Sequence, residues 1–273
     1  MVESAEIFIL CEDQARMGFR DRIFMGQHGL SLFVRAEKDV LFDTGPSGVF
    51  RHNASLLGID PDQADHVVLS HGHWDHTDGI LHLGQNDGPG KLVAHHGIFA
   101  NRHKKTGEYN GMGPSQKELE KRFDLQLVRE PLALTDSLYF LGEIPRANDF
   151  ESVSTTFFLQ DNGGKRPDFL VDDSALALET TKGCVVISGC AHAGICNTCE
   201  YAREVTGQDH LHMVIGGFHL LDEGEQLERT VSYFKENPVD RLFPLHCTAQ
   251  PALSRFYRNF GAPKLCCGDI VRV

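Results

Sequence analysis

One short stretch constrains this chain more than any other part of it. Residues 66–79 read HVVLSHGHWDHTDG, an apolar run that passes directly into a histidine-rich turn. The run Val67–Leu69 is long enough for a buried strand, and Gly72 lets the backbone bend soon after it. Four potential metal ligands follow within six residues, namely His71, His73, Asp75 and His76. Because imidazole and carboxylate suit Zn²⁺, Fe²⁺ or Mn²⁺, the stretch predicts a metal site.

The alternative interpretation of this stretch is a polar loop with ordinary surface histidines. Histidine is intermediate in burial and usually needs no ligand role. Four donors packed this densely at the end of a strand favour the metal interpretation.

Composition limits the partners that this chain can have. The net charge is −12 with histidine neutral, and nucleic-acid affinity depends largely on Lys and Arg, so no nucleic-acid partner is expected. No apolar run approaches eighteen residues, which predicts no membrane span. The start, MVESAE, lacks a basic n-region, so we expect no signal peptide and a cytoplasmic location. The eight cysteines are then expected to be reduced thiols, ligands or core residues.

Strand and helix patterns alternate along the whole chain. Strands are predicted at residues 6–11, 30–35, 39–43, 67–69, 91–94, 123–128, 138–141, 157–159, 175–178, 184–187, 211–215 and 242–245, with a last one within 265–273. Helices are predicted at residues 48–58, 197–205, 223–236 and 252–260, while 12–28 and 101–118 are predicted to be irregular. The pattern predicts an α/β fold with two sheets packed face to face and helices outside, in a single domain over residues 1–273.

Three strand ends in the second half repeat the logic of the opening stretch. Each apolar run passes through a tight turn to a histidine, and these are His192, His219 and His246. Cys190 lies in the first of these turns. Because strand ends collect at one edge of a layered fold, we expect these residues to lie near residues 71–76.

Several other residues have competing interpretations. Asp43 ends a strand in Asp-Thr-Gly, where a turn aspartate can cap local N–H groups. Arg146 follows a strand and can clamp a phosphate or carboxylate. His95 and His96 end another strand, as pocket residues or as plain loop residues.

Two short groups add further alternatives. Arg102, Lys104 and Lys105 form a basic group in an acidic chain, which either contacts an anionic substrate or is a solvated surface run. Cys196 and Cys199 form a Cys-x-x-Cys at a predicted helix start, where thiol pKa values are commonly lowered. A redox or extra metal role competes there with a structural one.

The His-x-His-x-Asp-His pattern resembles the metallo-β-lactamase superfamily, whose fold is a four-layer αββα sandwich of two mixed sheets with outer helices. The resemblance implies that His71 and His73 bind one metal and that Asp75 and His76 bind a second. It also implies that His192 and His246 complete the ligands and that Asp43 orients the site without ligating. Many relatives place an aspartate at the bridging position, where this chain has Cys190; Asp172 or Asp173 are alternatives for that role.

Longer segments resemble a narrower branch, the dihydropterin ribofuranosylaminobenzene 5′-phosphate synthase-like proteins. The similar segments are residues 53–60, 70–77, 188–195, 216–220 and 244–248, and the resemblance spans about residues 5 to 271. Gly-Cys-x-His and Gly-Gly-Phe-His are its most specific parts. This chain departs from the branch at Asp78, where a glycine is expected, and at Cys196 and Cys199. His219 is implied as a ligand or a substrate contact, with a core histidine as the alternative.

These observations predict a metal-dependent hydrolase or transferase acting on a small phosphate- or pyrophosphate-bearing molecule, with a pterin-related one implied by the resemblance. One or two divalent ions are expected, with zinc favoured and iron or manganese as alternatives. A bound ion lowers the pKa of water to about 7, which supplies hydroxide at neutral pH. Asp75 is the predicted catalytic residue, orienting the nucleophile or passing on its proton. The alternatives are a diiron redox protein and a non-catalytic small-ligand binder that kept the fold.

Overall fold

A computed structural model describes residues 1–84, 90–161 and 163–273. Strands dominate this part of the chain. They are β1 (Glu6–Cys11), β2 (Ser31–Arg35), β3 (Asp39–Phe42), β4 (His66–Val68), β5 (Gly90–His95), β6 (Arg102–Lys104), β7 (Phe123–Val128), β8 (Leu132–Ala133), β9 (Leu138–Phe140), β10 (Phe157–Asp161), β11 (Gly164–Pro167), β12 (Ala175–Thr180), β13 (Gly183–Ser188), β14 (Leu211–Gly217), β15 (Val239–Leu245) and β16 (Ile270–Arg272).

Helices lie between the strands. They are α1 (Val49–Leu56), α2 (Trp74–Thr77), α3 (Gln116–Leu119), α4 (Ile195–Thr206), α5 (Glu225–Glu236) and α6 (Gln250–Phe260), with 3₁₀ turns at Pro61–Gln63, Asp78–His82 and His96–Phe99. The longer helices are amphipathic; α5, for example, buries Leu227, Val231 and Phe234 on one face. Both α4 and α6 end at a glycine in the left-handed conformation, Gly207 and Gly261, which a side chain would strain.

The strands form two large sheets and one small one. The first sheet has the order β16-β1-β2-β3-β4-β5-β7 and the second has the order β15-β14-β13-β12-β9-β8. Both are mixed, because β3-β4-β5-β7 and β13-β14-β15 run parallel while the remaining pairs are antiparallel. The small sheet has the order β11-β10-β6.

The core consists of three apolar layers. Inward side chains of both large sheets form the central layer, to which β1 contributes Ile7 and Ile9. The alternate residues of β1, Phe8 and Leu10, lie in an outer layer that contains Phe50 of α1. A third layer joins the outer face of the second sheet to α4, α5 and α6. Both faces of each sheet are therefore covered, which explains why the strands are nearly continuous apolar runs.

This layered order is the predicted α/β sandwich, and the fold class is confirmed. Strands β1 and β7 have the predicted bounds, and most others differ by one to three residues at an end. The prediction that residues 101–118 are irregular is wrong in two places, because they contain β6 and α3. Strand β6 pairs with β10, a partner more than fifty residues away, so no local pattern reveals it. In the described ranges no helix is long and apolar enough to cross a bilayer.

The topology brings the carboxyl ends of many strands to one edge of the sandwich. Strands β1, β3, β4 and β5 share one direction in the first sheet, and β13, β14 and β15 share one direction in the second. The segments that follow these strands carry most of the predicted site residues. Strands β2 and β12 begin at this same edge, because they run in the opposite direction.

Candidate metal centre

Three histidines form the first group of donors, which we call triad one: His71, His73 and His192. One ligand atom from each lies within 4.8 Å of the other two. His71 Nε2 is 3.1 Å from His73 Nδ1, and the His192 ring is centred 4.9 Å from both other rings. The loop after β4 and the loop after β13 therefore meet at this point, although they are far apart in sequence.

The environment of triad one favours neutral imidazoles. Burial, reinforced by neighbouring histidines, lowers the pKa of each ring well below its ordinary value. The Nε2 atoms of His73 and His192 are buried without a hydrogen-bond partner. Such nitrogens are costly to bury unless something binds their lone pairs, and neutral imidazole is the form that ligates metals. Triad one therefore fits a divalent metal ion.

A second group of donors, which we call triad two, consists of Asp75, His76 and His246. Its ligand atoms also lie within 4.8 Å of one another. Asp75 Oδ2 is 3.3 Å from His246 Nε2 and 4.0 Å from His76 Nε2. Burial favours the neutral acid, but the hydrogen bond from His246 and nearby imidazoles lower the pKa of Asp75 to about 2. A carboxylate with two imidazoles also fits a divalent metal.

Each histidine of triad two has a carboxylate behind it. Asp43 Oδ2 is 2.7 Å from His76 Nδ1, and the other oxygen of Asp43 accepts the backbone N–H of Ser70 at 2.7 Å. Asp13 Oδ1 is 2.9 Å from His246 Nδ1. Carboxylates placed in this way fix the ring orientation and leave Nε2 directed toward the ligand position. Although burial disfavours a charged ring, Asp13 and Asp75 raise the pKa of His246 to about 10.

Cys190 lies between the two triads. Its Sγ is 3.2 Å from His76 Nε2, and it shares a donor group with His71 and His76. It therefore occupies the space between one ligand of each triad. The close approach of its loop to the first sheet requires Gly189, where a Cβ would lie 2.1 Å from Ser70 Oγ.

The adjacent aspartates Asp172 and Asp173 brace the two ligand loops. Asp172 Oδ2 accepts the N–H of Gly72 at 2.9 Å, between the first two histidines of the motif. Asp173 Oδ2 accepts the N–H of Ala193 at 2.8 Å, and burial raises its pKa to about 7. In the described chain neither belongs to a donor group at the centre, whereas Cys190 does.

The interpretation of Arg102 as part of an exposed basic group is wrong. Its side chain is only 1% exposed and forms two hydrogen bonds with Asp172, at 2.8 and 2.9 Å. Its Nε is also 3.3 Å from Asp168. Lys104 and Lys105 remain exposed, as a solvated run would be. The error arises because the paired carboxylate is 70 residues away along the chain.

His219 and a small cavity lie beside triad one. The His219 ring is centred 4.2 Å from the His192 ring, and burial lowers its pKa to about 4. Both rings line a cavity of about 170 Å³, whose wall includes Phe157, Phe169 and several hydroxyl groups. Phe157 also packs against His73, with ring centroids 4.7 Å apart. The cavity gives a small molecule access to triad one.

Arg146 supports the wall of this cavity. Its guanidinium donates to the carbonyls of Ile144, Phe169 and Leu170 and to Ser152 Oγ, at 2.6–3.3 Å. These bonds hold the loop that carries Phe169. Contact between Arg146 and a substrate stays a prediction.

The Cys-x-x-Cys pair lies on α4 with both side chains buried in the core. Cys196 and Cys199 are 2% and 0% exposed, and burial raises the pKa of both thiols. The start of α4 is occupied by Glu151, which accepts the N–H groups of Cys196 and Asn197 at 2.9 Å. The expected lowering of the thiol pKa is therefore wrong, because both thiols are buried and a carboxylate already occupies the helix N-terminus.

His95 and His96 lie away from the triads. His95 Nδ1 accepts the N–H of Gly97, which caps a 3₁₀ turn, while His96 is exposed. A separate donor group, His210, His212 and Asp240, lies at the opposite edge of the second sheet, where β14 and β15 begin.

Sequence reasoning missed Asp13 and His28. His28 Nδ1 is 3.4 Å from Asp13 Oδ1, and its Nε2 is 3.4 Å from Asp75 Oδ2. The two residues lie near the two ends of the connection between β1 and β2. This connection begins and ends at the edge of the sandwich that carries the two triads. That strand-end position was the available signal, although neither residue lies in a recognisable motif.

Several residues of the centre have strained backbones. Asp43, Ala191, His219 and His246 have φ values of 57°, 57°, 47° and 35°. The left-handed region is unfavourable for residues other than glycine, and such strain concentrates at functional sites. Each of these residues follows a strand, so the strain accompanies the sharp turns that direct donors into the centre.

Comparison with known proteins agrees with this geometry. Residues 26–222 match the Metallo-beta-lactamase superfamily. The chain is 31% identical, over 95% of its own length and 92% of the relative, to 7,8-dihydropterin-6-methyl-4-(beta-D-ribofuranosyl)-aminobenzene-5′-phosphate synthase of Methanocaldococcus jannaschii. An uncharacterized protein of the same organism is 34% identical over 85% of this chain and 88% of its own.

A solved structure is similar over nearly the whole chain. Tm1679, described as a metal-dependent hydrolase of the beta-lactamase superfamily, is 31% identical with a TM-score of 0.83, covering 98% of both chains. These matches agree with the structure, which has a layered αββα fold with metal-ligand residues along one edge. The chain belongs to the metallo-β-lactamase superfamily.

Proposed function

We propose that this protein is a metal-dependent enzyme that hydrolyses or transfers a group of a small phosphate-bearing molecule at the centre formed by the two triads. The observation that carries the proposal is the convergence of two donor triads at one edge, with two buried imidazole nitrogens that lack a partner. A cavity opens onto one of these triads.

Two divalent ions fit the donors present. His71, His73 and His192 would hold one ion, and Asp75, His76 and His246 would hold the other, with Cys190 between them. When bound, the ions would supply an activated water and positive charge to stabilise the leaving oxygen. Imidazole, carboxylate and thiolate donors together favour zinc, with iron or manganese as alternatives.

The carboxylates at triad two hold protons at defined atoms. The Nδ1–H groups of His76 and His246 donate to Asp43 and Asp13, which directs Nε2 of both rings toward the position of the ion, where a bound ion would displace the proton of His246 Nε2. Asp75 orients the nucleophile through Oδ2. His28 lies 3.4 Å from that oxygen with 63% of its side chain exposed, so it connects Asp75 to solvent.

The cavity and the relatives support a phosphate-bearing, pterin-related substrate. Hydroxyl groups and the aromatic rings of Phe157 and Phe169 line the cavity, which suits a planar ring with polar edges. His219 lies at its inner end as a substrate contact. The Methanocaldococcus jannaschii relative is named as a synthase of a pterin-containing 5′-phosphate, and Tm1679 as a hydrolase, so the reaction is either group transfer or hydrolysis.

Metal analysis combined with a substrate screen tests this proposal. We expect purified protein to contain divalent metal and to act on at least one member of a panel of phosphoesters, pyrophosphates and lactones. Dialysis against a chelator and His73→Ala should each abolish activity while the circular dichroism spectrum is retained. His96→Ala, an exposed histidine outside the triads, is the matched control.

Three results would count against the proposal. Full activity in metal-free protein would exclude metal-dependent chemistry. Tight binding of a pterin or nucleotide without turnover would indicate a binding protein, and iron with a visible absorption band that changes with O₂ would indicate a redox protein.

A further inference from the structure

The donor group at the opposite edge of the second sheet lies away from both triads. It consists of His210, His212 and Asp240, and one ligand atom of each lies within 4.8 Å of the other two. His212 lies on β14 and Asp240 on β15, near the points where these parallel strands begin. In the described ranges it is the one such group outside the edge that carries the triads.

The strand register brings these three side chains to one point. The residues on both sides of His212 pair with the residues on both sides of Asp240, so the two lie side by side on neighbouring strands. His210 comes two residues before His212, and successive side chains of an extended chain alternate between the two faces. The two imidazoles therefore project to the same face, where both contact one oxygen of Asp240.

The carboxylate of Asp240 joins the two rings. Its Oδ2 is 3.0 Å from His210 Nε2 and 2.8 Å from His212 Nδ1. The hydrogen bonds from the two rings lower the pKa of Asp240, which keeps the carboxylate ionised at neutral pH. Ligand atoms bonded to tetrahedral zinc at roughly 2.0–2.2 Å are about 3.3–3.6 Å apart. The three atoms therefore already lie close to the spacing that such an ion requires.

The fold holds the two histidines in this arrangement. His212 is only 8% exposed and directs Nδ1 toward Asp240, while its Nε2 is buried without a hydrogen-bond partner in the described chain. The carbonyl of His210 accepts the N–H of Cys184 at 2.9 Å. A Cβ at Gly183 would lie 2.7 Å from His210 Cδ2, so glycine leaves room for this ring against the start of β13. Donors placed in advance lose less entropy when a ligand binds.

The group is open to ions from solvent and suits a particular class of them. The side chains of His210 and Asp240 are each 50% exposed, and an ion pair this exposed contributes little to stability by itself. Two imidazoles and a carboxylate suit zinc and neighbouring transition metals, whereas Mg²⁺ and Ca²⁺ prefer oxygen ligands. The net charge of −12 also favours the binding of cations.

We propose that His210, His212 and Asp240 bind one divalent transition-metal ion, zinc by preference, which links the starts of β14 and β15. The ion would take the place of the protons between the two rings and Asp240 Oδ2, so that two hydrogen bonds become metal–ligand bonds. Because this edge is opposite to the one that carries the triads, the ion would stabilise the sheet and take no part in chemistry at the centre. The site is therefore independent of the proposed function.

Zinc counting in the full chain tests this site. Wild type, His210→Asn and Asp240→Asn are dialysed against the same Zn²⁺ concentration, and bound zinc is measured by elemental analysis. We expect each variant to hold one ion per chain fewer than wild type, with an affinity for that ion about 100-fold lower or weaker still, because a ligand is lost rather than an outer partner. Both positions are half exposed, so both variants should fold, which circular dichroism checks. The exposed variants His96→Asn and Asp124→Asn are the controls.

The difference in zinc between variants does not depend on how many ions the triads hold. The same count in wild type, His210→Asn and Asp240→Asn would overturn the site, whatever is found at the triads. An equal loss in His96→Asn would also overturn it, by showing that zinc binds exposed histidines without selection. A loss confined to the two test variants would support the site even if the protein shows no activity.

Thermal unfolding gives a second readout, which separates a metal site from a simple ion pair. An ion that binds only the folded chain raises its Tm, so zinc should stabilise wild type more than His210→Asn or Asp240→Asn. An ion pair without metal would give the same difference in Tm between wild type and variant in zinc as in a chelator. That result would overturn the proposal.

Discussion

The two halves of the chain supply the candidate metal centre in different ways. The first half presents four donors on one loop, residues 71–76, directly after β4. The second half presents Cys190, His192 and His246 on separate segments after β13 and β15. The support also differs, because Asp172 holds the first loop through Gly72, whereas Asp173 holds the loop of Cys190 and His192 through Ala193.

This difference shows that the donors and the residues that hold them in place come from different halves of the chain. The donor-rich loop of the first half is braced by an aspartate from the second half, and His246 of the second half is held by Asp13 from the first. Neither half can therefore form a complete centre alone. The predictions below separate the donors from their supports, beginning with the largest expected effect.

Replacing the carboxylate donor should have the largest effect. In Asp75→Asn we expect metal content to fall by about one ion per chain, and activity to fall by more than the roughly 10–100-fold cost of losing an outer partner. The reason is that triad two loses its negatively charged ligand. Elemental analysis after dialysis and initial rates measure both effects. Asp78→Asn is the control, and equal metal content in both variants would contradict the assignment.

Removing the ion pair that supports the loop of residues 71–76 should mainly reduce the free energy of unfolding. In Arg102→Met we expect a loss of about 3–5 kcal/mol in the free energy of unfolding, because Asp172 is left buried and uncompensated. Urea denaturation followed by circular dichroism measures this change. Lys104→Met, on the same strand but exposed, should be nearly neutral. Similar stability of the two variants would argue against a bracing role for Arg102.

Removing the partner of His246 should act selectively on triad two. In Asp13→Asn we expect metal affinity at triad two to fall by roughly 10–100-fold, while triad one is unaffected. Competition with a chromophoric chelator resolves the two affinities. Asp21→Asn, a second exposed aspartate in the same connection, serves as the control. A uniform loss at both triads would show that Asp13 supplies only long-range charge.

Removing the carboxylate at the start of α4 should have a smaller effect. In Glu151→Ala we expect the free energy of unfolding to fall by roughly 0.5–2 kcal/mol, the usual range for loss of a helix N-cap. Thermal and urea denaturation measure it. Glu204→Ala, exposed on the same helix, is the comparison, and a change in metal content without a change in stability would point to a different role.

The Cys-x-x-Cys pair should have the smallest effect. Burial raises the pKa of Cys196 and Cys199, so both stay protonated at pH 7–8, and the thiolate is the reactive form. We expect neither to react with iodoacetamide in native protein, with the partly exposed Cys266 as an internal reference. Cys196→Ala/Cys199→Ala should retain activity within about twofold. Rapid modification of either thiol would contradict this assignment.

The contiguous features of the fold were predictable from the sequence. The strands were visible because both faces of each sheet are covered, which makes runs such as Glu6–Cys11 almost wholly apolar. The donors of residues 71–76 were visible because they share one loop, and the donors after β13 and β15 because each follows a buried strand.

The supporting contacts were not predictable, because their partners are distant in sequence. Arg102 meets an aspartate 70 residues away, and His246 meets Asp13 across 233 residues. Read locally, Arg102 belongs to a basic surface group and Asp13 to a polar loop. The wrong prediction of a lowered thiol pKa at Cys196 has the same reason, since Glu151 accepts a hydrogen bond at the start of α4 from a separate loop.

The ion pair between Arg102 and Asp172 also limits how this enzyme can be redesigned. Arg102 lies on β6, an outer strand of the small sheet, and Asp172 holds the loop between His71 and His73. Exchanging the small sheet for that of a relative would therefore remove a support of the loop that carries His71 and His73. A chimaera that keeps both Arg102 and Asp172 should preserve the loop, whereas a swap chosen by surface residues alone would disable it.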